Sequence, residues 1–182
     1  GEVVDGILTR TRHNASGAQV MGLTLEGKMA YLNKFQFQAG VTLQQSHYSK
    51  PHIWNKEAPA VKKMMRTPNT YGYFTATYTP IKPLSIALSG TYTGSMLVPH
   101  EPVPGFLENP ITVNTKDFFD IGLKAAYDFK LYKSMNLQVN AGIQNIFNAY
   151  QDDFDKGADR DSGYIYGPSL PRSFFAGVKI SY

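Results

Sequence analysis

Cysteine is absent from the 182 residues, which removes disulfides, thiol catalysis and cysteine-ligated metals while leaving the redox compartment open. Long apolar runs are missing too. Nothing approaches the roughly 20 consecutive apolar residues of a transmembrane helix, so a helical membrane protein is excluded, whereas a barrel of alternating strands escapes that test. The familiar signatures of enzyme chemistry are also lacking: there is no Gly-x-Ser-x-Gly elbow, no HExxH and no phosphate-cradling glycine loop, and no enzyme is expected. Charged residues make up only 18%, yet the mean hydropathy is −0.29. Polarity must therefore come from Ser, Thr, Asn, Gln and Gly, the uncharged set that fills the wet side of a strand whose other side is apolar. The net charge of +4 comes from Lys and Arg that read as scattered singly, with no face or block, which argues against a nucleic-acid partner. The chain opens Gly-Glu-Val-Val, without an initiator Met or a signal segment, as expected of a mature or truncated product.

What is abundant is Tyr (12) and Phe (11), set in a period-two pattern. Residues Val20 to Tyr31 place Met21, Leu23, Leu25, Met29 and Tyr31 on one face, against Thr24, Glu26 and Lys28 on the other. Lys34 to Ser46, Leu84 to Met96, Phe118 to Phe129, Met135 to Gln144 and Arg172 to Tyr182 repeat the alternation, and Tyr71 to Thr79 does so less cleanly. Seven antiparallel strands are predicted, each near the 9–11 residues that cross a bilayer at a tilt. The connections alternate in length: Leu32-Asn33, Pro80 to Pro83 and Lys130 to Ser134 are short, and His47 to Thr70, Leu97 to Asp117 and Asn148 to Pro171 are long. Outer-membrane barrels have this rhythm of short periplasmic turns and long extracellular loops. Tyr31, Tyr78, Phe129 and Tyr182 fall at short-turn ends and Tyr92, Phe119 and Phe147 towards the long loops, as two aromatic girdles would.

The segment Asn145-Ile146-Phe147-Asn148-Ala149-Tyr150 resembles the Asn-Leu-Phe-Asp/Asn-x-x-Tyr signature near the end of TonB-dependent outer-membrane receptors. Gly167-Pro168, Pro171-Arg172 and a last alternating strand ending in Tyr182 are similar to that family's finish. Asn14-x-x-Gly17-Ala18 with Gly22 and Glu26 resembles the segment opening the last third of such barrels. These receptors are barrels of about 22 strands with a plugged lumen. The resemblance implies that this chain is an all-β, antiparallel, transmembrane section supplying the last seven strands, in the outer membrane of a Gram-negative bacterium, with the plug and earlier strands absent from it. Its partners would be the lipid bilayer, the remaining strands and plug, the TonB system acting through the plug, and a scarce nutrient such as an iron–siderophore, haem or corrinoid. Tyr182 would be the terminal aromatic read by the barrel-assembly machinery. Leu84, Ile86 and Leu88 would face lipid; Ser85, Ser89 and Thr91 would face the lumen. Because single-chain barrels use an even number of strands, seven imply a fragment or a split barrel. The alternative is a small structural or adhesive barrel of eight strands, with Val3 to Arg12 as the eighth.

Ligand-contact candidates are Tyr48, His52, Trp54 and His100, aromatic or soft groups in or beside outward connections. His47, Met64, Met65 and Met96 could join His52 and His100 in haem or soft-metal capture, but no two have ligand-like spacing. Gln151 to Asp161 gathers five carboxylates, an oxygen-rich set for calcium; its spacing misses the EF-hand pattern, so a solvated turn with Lys156 and Arg160 as partners is expected. No metal, cofactor or catalytic residue is assigned.

Overall fold

The computed structural model describes residues 2–4, 6–9, 17–132 and 134–182. Among these, the ordered elements are β1 (Glu2–Val4), β2 (Ile7–Thr9), β3 (Ala18–Tyr31), β4 (Phe35–His52), β5 (Val61–Lys63) and β6 (Thr70–Ile81). They continue with β7 (Leu84–Thr93), β8 (Leu97–His100), β9 (Ile111–Asn114), β10 (Phe118–Lys130), β11 (Asn136–Gln144) and β12 (Ser173–Ser181). Seven of them form one antiparallel meander in the order β3-β4-β6-β7-β10-β11-β12, with β5 added to β4. All seven strands read from the alternation exist, at lengths of 9 to 18 residues. The β3 and β12 edges each have one neighbour among the described residues.

Register explains what the alternation builds. Leu23 stands opposite Leu43, Met29 opposite Phe37, Phe35 opposite Tyr78, Ala76 opposite Leu88, Leu88 opposite Leu123, Leu123 opposite Ile143 and Ile143 opposite Phe174. Opposed residues project to the same side, so one apolar face runs unbroken across the sheet. The reverse face carries Thr24, Thr42, Tyr73, Thr91, Asp120, Gln144 and Ser173. Thr24 and Thr42 bond across at 2.9 Å, and the Tyr73 hydroxyl donates to Glu26 while accepting from Gln38 at 3.1 Å. On the apolar face, Leu25 is 60% exposed and Val178 65%, so nothing within the described chain covers it.

Two local devices set this register. The β3–β4 connection is the three residues Leu32, Asn33 and Lys34, since Tyr31 pairs with Phe35. Leu32 and Asn33 take φ of 48° and 52°, and Lys34 N–H to Tyr31 O at 3.0 Å closes the turn, so Lys34, read from the alternation as the first residue of the next strand, belongs to the turn. Aromatic rings also lie directly over paired glycines. Phe74 covers Gly90 and Phe175 covers Gly142, where an added Cβ would come within 2.2 and 2.4 Å of the rings.

The connections depart from expectation. The first does not begin at His47: β4 continues to His52, since Ala18 pairs with Tyr48 and β5 folds back to set Lys63 opposite His47. The second contains the β8–β9 hairpin. β7 stops at Thr93 rather than Met96, because the Gly94 amide turns to Thr70 O at 2.8 Å and the Met96 amide takes the Thr115 hydroxyl at 3.0 Å. Of residues 3–12, required as an eighth strand by the small-barrel alternative, Val3, Val4 and Ile7–Thr9 lie in the β1–β2 hairpin, which among the described residues pairs with neither edge of the meander; Asp5 and residues 10–12 lie outside the described residues. Asn14 lies outside them as well.

Candidate functional site

Packed interior is found at one end of the sheet, where the long connections meet. Val98 of β8, Phe118 at the start of β10, and Tyr164 and Tyr166 of the third connection form a buried cluster, with Met96, Val113 and Ala149 against it. These side chains can bury only together, since each connection alone offers one or two apolar groups to a neighbour. The Tyr164 ring stacks on His100, centroids 3.8 Å apart and planes 2° from parallel.

Polar groups tie the connections in the same place. His100 Nε2 meets Asp155 Oδ2 at 2.9 Å with both side chains nearly sealed from solvent, and Asp155 also accepts the Asp161 amide at 3.1 Å. Asp161 in turn accepts the Glu101 amide at 2.9 Å and the Gly163 amide at 2.7 Å. Tyr164 and Tyr166 donate their hydroxyls to the two oxygens of Asp153 at 2.8 and 2.5 Å. From the first connection, Arg66 donates to the carbonyls of Ile165 and Gly163, and Asn55 donates to Glu101 at 2.7 Å. Lys116 and Asp152 meet at 2.6 Å on the exposed rim. The acidic segment is therefore not a turn partnered by Lys156 and Arg160. Lys156 sits over the Phe154 ring at 5.7 Å and Arg160 bonds the Gly157 carbonyl, while Asp152, Asp155 and Asp161 reach Lys116, His100 and Glu101 of the second connection and Asp153 binds Tyr164 and Tyr166 of its own.

The titrations follow this wiring. Burial pushes the Tyr164 hydroxyl up to about 12, aided by its bond to Asp153, and burial with the same carboxylate raises Tyr166 further. Burial alone would raise Asp153, but hydrogen bonds from Tyr166, Tyr164 and Gln151 outweigh it and hold the carboxyl below its ordinary range. The hydrogen-bonded Lys116–Asp152 pair raises the amine and lowers the acid.

Tyr48 and His52 are brought together, ring centroids 4.7 Å apart, near the end of β4. Trp54 follows within two residues; its indole N–H is buried without a partner among the described residues. His100 does not present its ring beside them, because Asp155 and Tyr164 occupy it. Met96 packs on the buried cluster, and no group of three or more His, Asp or Glu is placed to hold a metal among the described residues.

The Asn145–Tyr150 motif acquires a structural account. Asn145 is 1% exposed and takes φ of 49°, a conformation Asn tolerates better than most residues. Its amide donates to Ala149 O at 2.8 Å and Leu170 O at 2.9 Å, and its oxygen accepts the Ala149 amide at 2.7 Å. Asn148 accepts the Arg172 amide at 3.0 Å. The two asparagines thus clip the start of the third connection to its end, while Phe147 and Tyr150 project outward, 65% and 54% exposed, and Tyr182 stands fully exposed after β12. The Asp153-x-Asp155 and Tyr164-x-Tyr166 pairs share a spacing that could have signalled a clamp, but nothing local says which partners them.

The scatter expected of Lys and Arg fails for residues 47–70, where Lys50, Lys56, Lys62, Lys63 and Arg66 face a single carboxylate, Glu57. A recess of about 390 Å³ opens at the root of that connection, lined by Gln45, Ser46, His47, Lys62, Lys63 and Asn69.

No protein-family model matches the chain, and no curated protein matches it either.

Proposed function

We propose that this chain is part of the wall of an outer-membrane β-barrel, the C-terminal section of a TonB-dependent receptor that imports a scarce nutrient of the siderophore, haem or corrinoid class. The observation that supports the barrel half of this reading is the apolar face: seven strands in register present Leu23, Leu43, Leu88, Leu123, Val139 and Val178 on one side of the sheet, with nothing among the described residues over them. In water that area would drive aggregation; in hydrocarbon it is the required surface, provided every backbone group within the membrane is paired. Among the described residues β3 and β12 each pair on one side alone, which supplies the reason for further strands on both edges, since open edges are not tolerated in lipid. The receptor half rests on the Asn145–Tyr150 and Pro171–Tyr182 resemblance and on connections that pack into a cap at one end.

Nitroxide labels placed singly at Leu84, Ile86 and Leu88, and at Ser85, Ser89 and Thr91, test the wall in lipid vesicles. The first set should be relaxed by oxygen and the second by an aqueous nickel chelate. Equal aqueous access for both sets would end the barrel reading. Energised import is tested separately by uptake of labelled siderophore, haem and cobalamin into cells with and without the protein, before and after collapse of the proton-motive force. No protein-dependent, force-dependent uptake of any of them would remove the receptor reading and leave a structural barrel.

A further inference from the structure

We infer that the recess at the root of the first long connection is a binding site for a phosphate-type oxyanion, at the level where lipid headgroups meet the protein. The membrane placement rests on the barrel reading above; the oxyanion chemistry does not. Three observations converge. Five cations in residues 47–70 stand against one carboxylate, so the local field favours an anion, in contrast to the third connection with its five aspartates. β5 pairs with β4 so that Lys63 stands directly across from His47 on the same side of the sheet, and Lys62 lines the recess beside them. Ser46, only 4% exposed, also lines it, and its hydroxyl has no hydrogen-bond partner among the described residues.

A buried hydroxyl left unbonded costs free energy unless something completes it. Asn69, on the same wall, has a buried amide oxygen in the same state, and turning that amide over presents its N–H pair instead. Two lysines, a hydroxyl and an amide are the donor set that a tetrahedral oxyanion takes. The position along β4 agrees with a membrane source. Phe35, Phe37, Val41 and Leu43 make the apolar face, which then gives way at Gln45 and His47, so the recess begins where that face ends.

The test uses the whole protein in phosphatidylcholine nanodiscs, probed with inorganic phosphate by ³¹P line broadening and with a few per cent of phosphatidic acid by native mass spectrometry. Two variants accompany the wild type: Lys62→Gln with Lys63→Gln, and Ser46→Ala, which removes an unsatisfied group and so should leave stability unchanged or slightly higher. Binding should weaken about tenfold or more in the lysine variant and measurably in Ser46→Ala. Binding of phosphatidic acid that both variants weaken supports the site with a lipid source. Binding of inorganic phosphate alone, weakened in the same way, supports it with a soluble one. No binding of either probe, or binding that neither variant weakens, overturns the proposal. Labels at Leu84 and Ser85 in the same nanodiscs report insertion independently, so a failed wall reading is not confused with an empty recess.

Discussion

Replacing Asn145 by Ala should be the most damaging single change outside the sheet. The side chain makes three hydrogen bonds, to Ala149 O, Leu170 O and the Ala149 amide, from a position 1% exposed. Each is worth about 1 kcal/mol net, and burying the abandoned partners without water makes the loss larger. Holding Ala at φ of 49° adds about 1 kcal/mol, because a Cβ is disfavoured there. The sum is about 4 kcal/mol, a large fraction of a typical domain's stability. Asn145→Gly separates the two parts, since Gly keeps the backbone conformation and loses only the bonds; it should be destabilised by about 3 kcal/mol. Guanidinium unfolding of the protein in lipid vesicles reads both, and hydrogen exchange at the Ala149 amide should accelerate in each. An Ala variant within 1 kcal/mol of wild type, or a Gly variant as stable as wild type, would show that the clip does not hold the third connection.

Other expectations follow from the same structure. Asn33→Gly should stabilise the β3–β4 hairpin by about 0.5 kcal/mol, since that residue holds φ of 52°, which glycine adopts without strain; a lower unfolding midpoint would contradict the turn. Gly90→Ala should destabilise by about 1–3 kcal/mol because Phe74 must leave its place over the glycine, and Gly90→Ala combined with Phe74→Leu should recover part of that. Tyr164 and Tyr166 should be the last tyrosines to ionise in an absorbance titration, and Asp153→Ala should bring both earlier. Because the folded Tyr164 value lies near 12, above the ordinary 10.0, its contribution is complete below pH 10 and is lost as pH rises through about 12. Asp153 has the opposite sign: its folded value is depressed, so its contribution is present above the ordinary 3.8 and is lost as pH falls through the lower folded value. Hydrogen exchange of the third connection should therefore quicken at both extremes while the sheet remains protected.

The seven strands and their faces were legible in the amino-acid order because period two is a local property: a residue's side of the sheet follows from its neighbours at i±2, whichever strand it pairs with. The place of the β3–β4 turn at Leu32-Asn33 was legible as the break between two alternating runs, although pairing of Tyr31 with Phe35 adds Lys34 to it, and other strand ends differed by a few residues where long-range pairing extended or cut them, as at His52 and Thr93. The interior of the long connections was not legible. His100 is 55 residues from Asp155, and Arg66 is 97 from Gly163, so neither partnership has a trace in local spacing. A loop-borne histidine reads as available until an aspartate and a tyrosine from another connection enclose it, and an aspartate-rich turn reads as solvated until its carboxylates find the Tyr164 and Tyr166 hydroxyls further along the same connection and His100 and the Glu101 amide in another. Strand alternation belongs to the chain itself, whereas the cap exists only because the sheet brings its three long connections to the same end.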